Sequence, residues 1–270
     1  MKTRIITAAV LVPVLLIVVL ALPKIVMALV LSAFCGIAAY ELLHSTDLVR
    51  NIRLLTYTMI TAAMVPMWCY FGCPHAWGLL GALLFIVLLF AEMMASNGKL
   101  QFDKISLCMT GGLLIPYLFS AMVRIHCTEL GRYLIMIPCI LAFIPDSGAY
   151  FAGCFFGKHK LAPTISPKKT IEGAVGGVLT AVLGMLLYAF ILDAAFGRTV
   201  SYGYALVFGV VVSLGDIFGD LMFSVIKRQT GIKDYGKLFP GHGGVLDRFD
   251  SMIVVAPLTE ALLILLPMVV

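Results

Sequence analysis

Charge is scarce in this sequence. Asp, Glu, Lys and Arg occupy 12% of its 270 positions, against about 25% in an ordinary soluble domain, and hydrophobic residues occupy 61%. A single soluble core cannot absorb that much apolar side chain, so a water-soluble domain is excluded. Paired cysteines are missing as well: the seven cysteines form no CxxC, and most lie inside apolar runs as small hydrophobes, which argues against a zinc site or a disulfide framework. The GxxxxGK[ST] spacing of a Walker A phosphate loop is absent. No internal repeat or inverted symmetry of the transporter kind is visible.

What is present is a series of apolar runs, each close to the 20 or so residues needed to cross a hydrocarbon core. They cover about 5–23, 25–43, 55–72, 76–95, 105–123, 133–156, 172–192, 202–226 and 252–270. The expected fold is therefore an all-α polytopic integral membrane protein with about nine transmembrane helices. It forms one membrane domain over 1–270, with weakly specific N-terminal spans in 1–130 and the chemistry in 131–270. The first run follows Lys2 and Arg4 like a signal peptide, but it is too long for a signal h-region and a second run follows Lys24 directly, so it is expected to be retained. Placing the N-terminus in the cytoplasm puts fifteen of the 19 basic residues inside and only Lys24, Arg124, Arg132 and Arg198 outside, which also puts the C-terminus outside.

Two polar stretches, 157–173 and 227–250, then fall on the same cytoplasmic face. Acidic residues within spans are costly and usually face the bundle interior or a polar cavity. Ser213, Asp216, Asp220 and Ser224 recur at helical spacing and share one face of the eighth span, while Asp146 opens a similar stripe in the sixth. Asp247 and Asp250 add carboxylates at the mouth of the last span. Hard oxygen ligands of this kind suit Mg²⁺, which takes one or two carboxylates and shares its other positions with water and phosphates. Arg248, between Asp247 and Asp250, is also a candidate structural partner for them.

The glycines of "FPGHGGVLDR", among them Gly243 and Gly244, permit a loop whose amides form an anion nest beside Lys227, Arg228 and Lys233. In the other loop Lys168 and Lys169 flank the start of a helix near Ile171, with Ser166 or Thr170 as its cap, a natural seat for phosphate. Basic anchors of the positive-inside kind would explain either lysine group taken alone. Together the basic side chains, amide donors and carboxylates describe a site for a polyphosphate and its metal.

From Ser224 to Asp250 the chain reads S-x-x-K-R-x4-K-D-x-G-x2-F-P-x-H-G-G-x-x-D-R-x-D. This resembles the signature of the phosphatidate cytidylyltransferase family, and the stretch from Asp146 to "SPKKTIEG" is similar to the family too. The resemblance implies transfer of CMP from CTP to phosphatidic acid at the cytoplasmic face of the cell membrane. It implies a two-metal arrangement with Asp220 and Asp247 as key ligands, Asp216, Asp250 and Asp146 nearby, and Mg²⁺ with a second cation that can be monovalent, such as K⁺. His242, Lys233 and Arg248 are its candidate catalytic residues, His242 either as base or as phosphate-orienting donor. Ser166, Lys168, Lys169, Ser224, Lys227, Arg228, Gly243 and Gly244 are its candidate substrate contacts. Expected partners are CTP, phosphatidic acid, the lipid bilayer and a second copy in a homodimer; nucleic acid is not expected. Cytidine-nucleotide enzymes acting on ether lipids or polyprenols are the nearest rivals. A transporter would explain the intramembrane carboxylates but not the basic, glycine-rich loop.

Overall fold

The computed structural model describes residues 13–97, 99–239, 241 and 243–269. Seven helices among them are long and apolar enough to span a membrane: 24–45, 52–71, 75–95, 102–127, 131–156, 171–196 and 202–229. Each coincides with one of the expected apolar runs. Of the first run, residues 5–12 lie outside the described residues and 13–20 are helical.

The chain divides into two compact units. The first comprises residues through Cys127 together with Gln229–Phe249. Its helices are α1 (Lys24–Tyr40), which continues into a π-turn at Glu41–Ser45, α2 (Ile52–Phe71), α3 (His75–Ala95) and the broken span 102–127. Asn51 caps α2 by accepting the Arg53 amide at 2.9 Å, and Gly72 ends it in the left-handed conformation. Leu43, Leu54, Leu55, Phe85, Leu89 and Ile105 form its buried apolar cluster. Phe249 stacks at a tilt on Phe34 and Phe119, and Phe34 meets Phe239 edge-on, so the glycine-rich stretch is held by aromatic contacts to these spans.

The second unit comprises Thr128–Arg228 and the residues from Asp250 onward. Here α4 (Met136–Phe156) leads through a small antiparallel hairpin, β1 (Lys160–Ala162) and β2 (Ser166–Thr170), into α5 (Ile171–Phe196). Helices α4 and α5 pack at very close range because small residues face each other: a Cβ at Gly176 would overlap that of Ala152, and one at Gly177 would lie 3.0 Å from the Pro145 carbonyl. After α6 (Tyr202–Gln229), the ninth expected span is a helix of only 14 residues, α7 (Met252–Leu265). Ser251 backbone packs where a Gly219 Cβ would stand, and the Ser201 amide donates to the Met268 carbonyl at 2.9 Å. The segment after Asp250 thus runs antiparallel along α6 between residues 219 and 201, a height of about 27 Å at 1.5 Å per residue.

Candidate active site

In the second unit, α4, the hairpin, α5 and α6 enclose a cleft of ≈ 360 Å³ lined by Asp146, Tyr150, Lys168, Lys169, Thr170 and Asp216, among others. The hairpin places the lysines. Thr170 closes β2 and caps α5, its hydroxyl accepting the Gly173 amide at 3.1 Å, while Ser166 lies in β2 and takes no part in the cap. Glu172 ties the hairpin base down by accepting the Lys158 and His159 amides and meeting the His159 ring at 2.6 Å. Arg228 donates to the Ile165 carbonyl at 3.0 Å, so its guanidinium holds the hairpin turn.

The carboxylates of α6 are arranged as the helical spacing requires. Asp220 is held on both oxygens, by Lys169 Nζ at 2.5 Å and by the Ser224 hydroxyl at 3.2 Å. One turn earlier Asp216 is 2% exposed, and among the described residues its Oδ1 has no hydrogen-bond partner. Its electrostatic neighbours are Asp146, Lys169 and Asp220, with the Ser251 hydroxyl bonded to it. Lys227 and Asp250 pair at 3.7 Å, mostly out of solvent, and Asp250 also accepts the Ser251 amide at 2.9 Å.

Two carboxylates, Asp146 and Asp216, line the lysine-bearing cleft, and Asp216 has a buried oxygen that no described residue serves. Leaving such an atom unpaired is costly. Among the described residues no three His, Cys, Asp or Glu side chains converge into a ready-made metal cage. Mg²⁺ does not need one, since one or two carboxylates plus substrate phosphates suffice. The donor set therefore fits Mg²⁺, with Asp216 as the available ligand and Lys169 as the cation now balancing Asp220.

In the first unit the glycine-rich stretch folds around two buried carboxylates. Asp247 Oδ2 accepts the Tyr235 amide at 2.7 Å and the Gly244 amide at 3.0 Å, with Gly236 farther off at 3.4 Å. Phe239 and Gly243 exchange backbone hydrogen bonds at 2.9 and 3.1 Å across a tight turn, for which Gly243 adopts φ +89°. The amides of Gly243 and Gly244, expected to face a phosphate, are thus both occupied within the loop, and the anion held by the nest is the Asp247 side chain. Lys233 and Arg248 are exposed, and His242 lies outside the described residues.

One buried carboxylate here was not anticipated from the sequence. Glu41, in the π-turn after α1, accepts the Val245 amide at 3.1 Å and the Leu246 amide at 2.8 Å. Its signal was present, since it is the lone acidic residue of an otherwise apolar span, a position that suggests function by default.

A model described as the cytidylyltransferase family matches residues 2–266. A Bacillus subtilis protein named phosphatidate cytidylyltransferase is 32% identical over 269 residues, covering 98% of both chains. A Thermotoga maritima protein of the same name is 29% identical over 260 residues, 96% of this chain and 94% of the relative. One from Staphylococcus aureus is 36% identical over 184 residues, 68% of this chain and 67% of the relative.

Proposed function

The chain belongs to the cytidylyltransferase family, and from that premise we propose that it transfers CMP from CTP to phosphatidic acid, releasing pyrophosphate and forming CDP-diacylglycerol. A phosphatidate oxygen attacks the α-phosphorus of CTP, the bond from that phosphorus to the bridging oxygen breaks, and pyrophosphate leaves with the electron pair. The nucleophile is largely anionic already, because a phosphomonoester loses its second proton near pH 6, so the protein needs little general-base power. Its work is to position two anions and offset their charge.

Lys168 and Lys169 are the phosphate-binding groups of the cleft, with Lys227, Lys233 and Arg228 as the remaining basic set. When triphosphate enters, Lys169 exchanges Asp220 for a phosphate oxygen. Asp216 and Asp220, with Asp146 beside them and Asp250 from the signature, would hold Mg²⁺ and a second cation that can be K⁺. Bound there, Mg²⁺ supplies charge neutralisation at the reacting phosphates. His242 orients phosphate in this reading. The observation that carries the proposal is the buried Asp216, with an oxygen unpaired among the described residues, lining the same cleft as Lys168 and Lys169.

The same proposal includes nine spans with the N-terminus and the active site in the cytoplasm, the C-terminus outside, and a homodimer in the bilayer. The antiparallel course of residues 251–268 along α6 supports the ninth span. Turnover by detergent-purified protein, with phosphatidic acid or Mg²⁺ omitted in turn, tests the reaction. Lipid product should require both; product formed without phosphatidic acid, or none with both present, would refute it.

A further inference from the structure

Glu41 has no role in the chemistry above, although it is 4% exposed and reaches the signature loop from 204 residues away. A carboxylate buried in an apolar span needs donors to offset its desolvation, and it finds them in the backbone amides of Val245 and Leu246. The widened π-turn of Glu41–Ser45 is an irregularity of the kind that helices often carry at functional sites. Gly236 and Gly244 press against it so closely that a Cβ on either would collide with the Glu41 carboxylate. The next residue after its two amide partners is Asp247, which accepts amides from the other side of the same loop.

Resting on the cytidylyl-transfer reading, we propose that Glu41 is a positioning residue for that reaction: it fixes the Val245–Leu246 backbone and so holds Asp247 and the glycine turn in working order. The role needs a carboxylate with both oxygens accepting. In Glu41→Gln the shape is retained, but one acceptor becomes an NH₂ facing an N–H donor, and the negative charge is lost.

The test is Glu41→Gln, with Glu41→Asp as a second variant, in full-length protein. Three properties are measured: thermal midpoint, steady-state kinetics for CTP and phosphatidic acid, and hydrogen exchange of peptides covering 229–249. For Glu41→Gln the expected result is kcat lowered by about 10-fold or more with the thermal midpoint little changed, and exchange accelerated by about 10-fold or more in 229–249 but not in α4 or α5. Exchange in 229–249 matching the wild type, or folded variant with wild-type kcat and KM, overturns the proposal. So does failure of both variants to accumulate as folded protein, which would make Glu41 a stability residue. Wild-type turnover is measured first: its absence sinks the functional reading and the positioning role with it, whereas its presence leaves the Glu41 outcomes to decide the positioning role alone.

Discussion

Replacing Asp247 by alanine removes the acceptor of several backbone amides at once. Two of its hydrogen bonds, from Tyr235 at 2.7 Å and Gly244 at 3.0 Å, have good lengths, and Asp247 is 5% exposed, so water cannot readily replace it. Hydrogen bonds to a charged group contribute about 1.5–3 kcal/mol each, so losing the pair costs about 3–6 kcal/mol, with Gly236 at 3.4 Å adding little. That is comparable to the whole stability of many domains, but it falls on one loop, so Asp247→Ala should open 229–249 locally. At 1.4 kcal/mol per decade, amide exchange in 235–244 should accelerate by about two to four orders of magnitude, up to the limit set by the loop's own protection in the wild type. Hydrogen exchange read by mass spectrometry on peptides from this stretch and from α4 and α5 makes the comparison. Asp247→Asn, which keeps one oxygen acceptor, should show a smaller effect. Unchanged exchange in Asp247→Ala would refute the reasoning and leave Asp247 a purely ligand-facing group.

Asp216→Asn should behave in the opposite way: it replaces a buried carboxyl crowded by Asp146 and Asp220 with a neutral side chain of the same shape, so turnover should fall by about 100-fold or more while the thermal midpoint holds or rises. A lowered midpoint with normal turnover would contradict this. A double-mutant cycle of Lys169→Met and Asp220→Asn should give a coupling of about 1 kcal/mol in thermal stability, modest because the two side chains are 25% and 30% exposed; a coupling near zero would mean the pair is not formed. Gly176→Leu forces a side chain into Ala152 and should cost about 1–3 kcal/mol through overpacking of α4 against α5, seen as a lower midpoint.

The spans were legible because lipid leaves a chain few choices: a long apolar run must satisfy its backbone internally, so composition alone marks the helix. The Asp216–Asp220–Ser224 face followed from helical spacing, and α6 brings Ser224 onto Asp220 as that spacing requires. The hairpin at 160–170 is only a loop in the sequence, since strands of three and five residues with a register irregularity carry too little alternation to be seen. The glycine stretch is legible as a backbone-donor loop, but the identity of its acceptors depends on tertiary contacts. Glu41 meets those amides across more than 200 residues, and no local pattern encodes such a pairing. For the same reason the grouping of Gln229–Phe249 with the spans before Cys127 is invisible in the order of the chain.

The central claim is that the CMP phosphate of CTP ends up on the lipid. The most direct measurement supplies purified protein, phosphatidic acid and Mg²⁺ with CTP labelled either at the α- or at the γ-phosphate, then counts the lipid extract. Label in the lipid from α-labelled CTP only, with γ-label recovered as pyrophosphate, is the expected result. Lipid label from γ-labelled CTP would identify a kinase instead, and no lipid label from either would contradict the account outright.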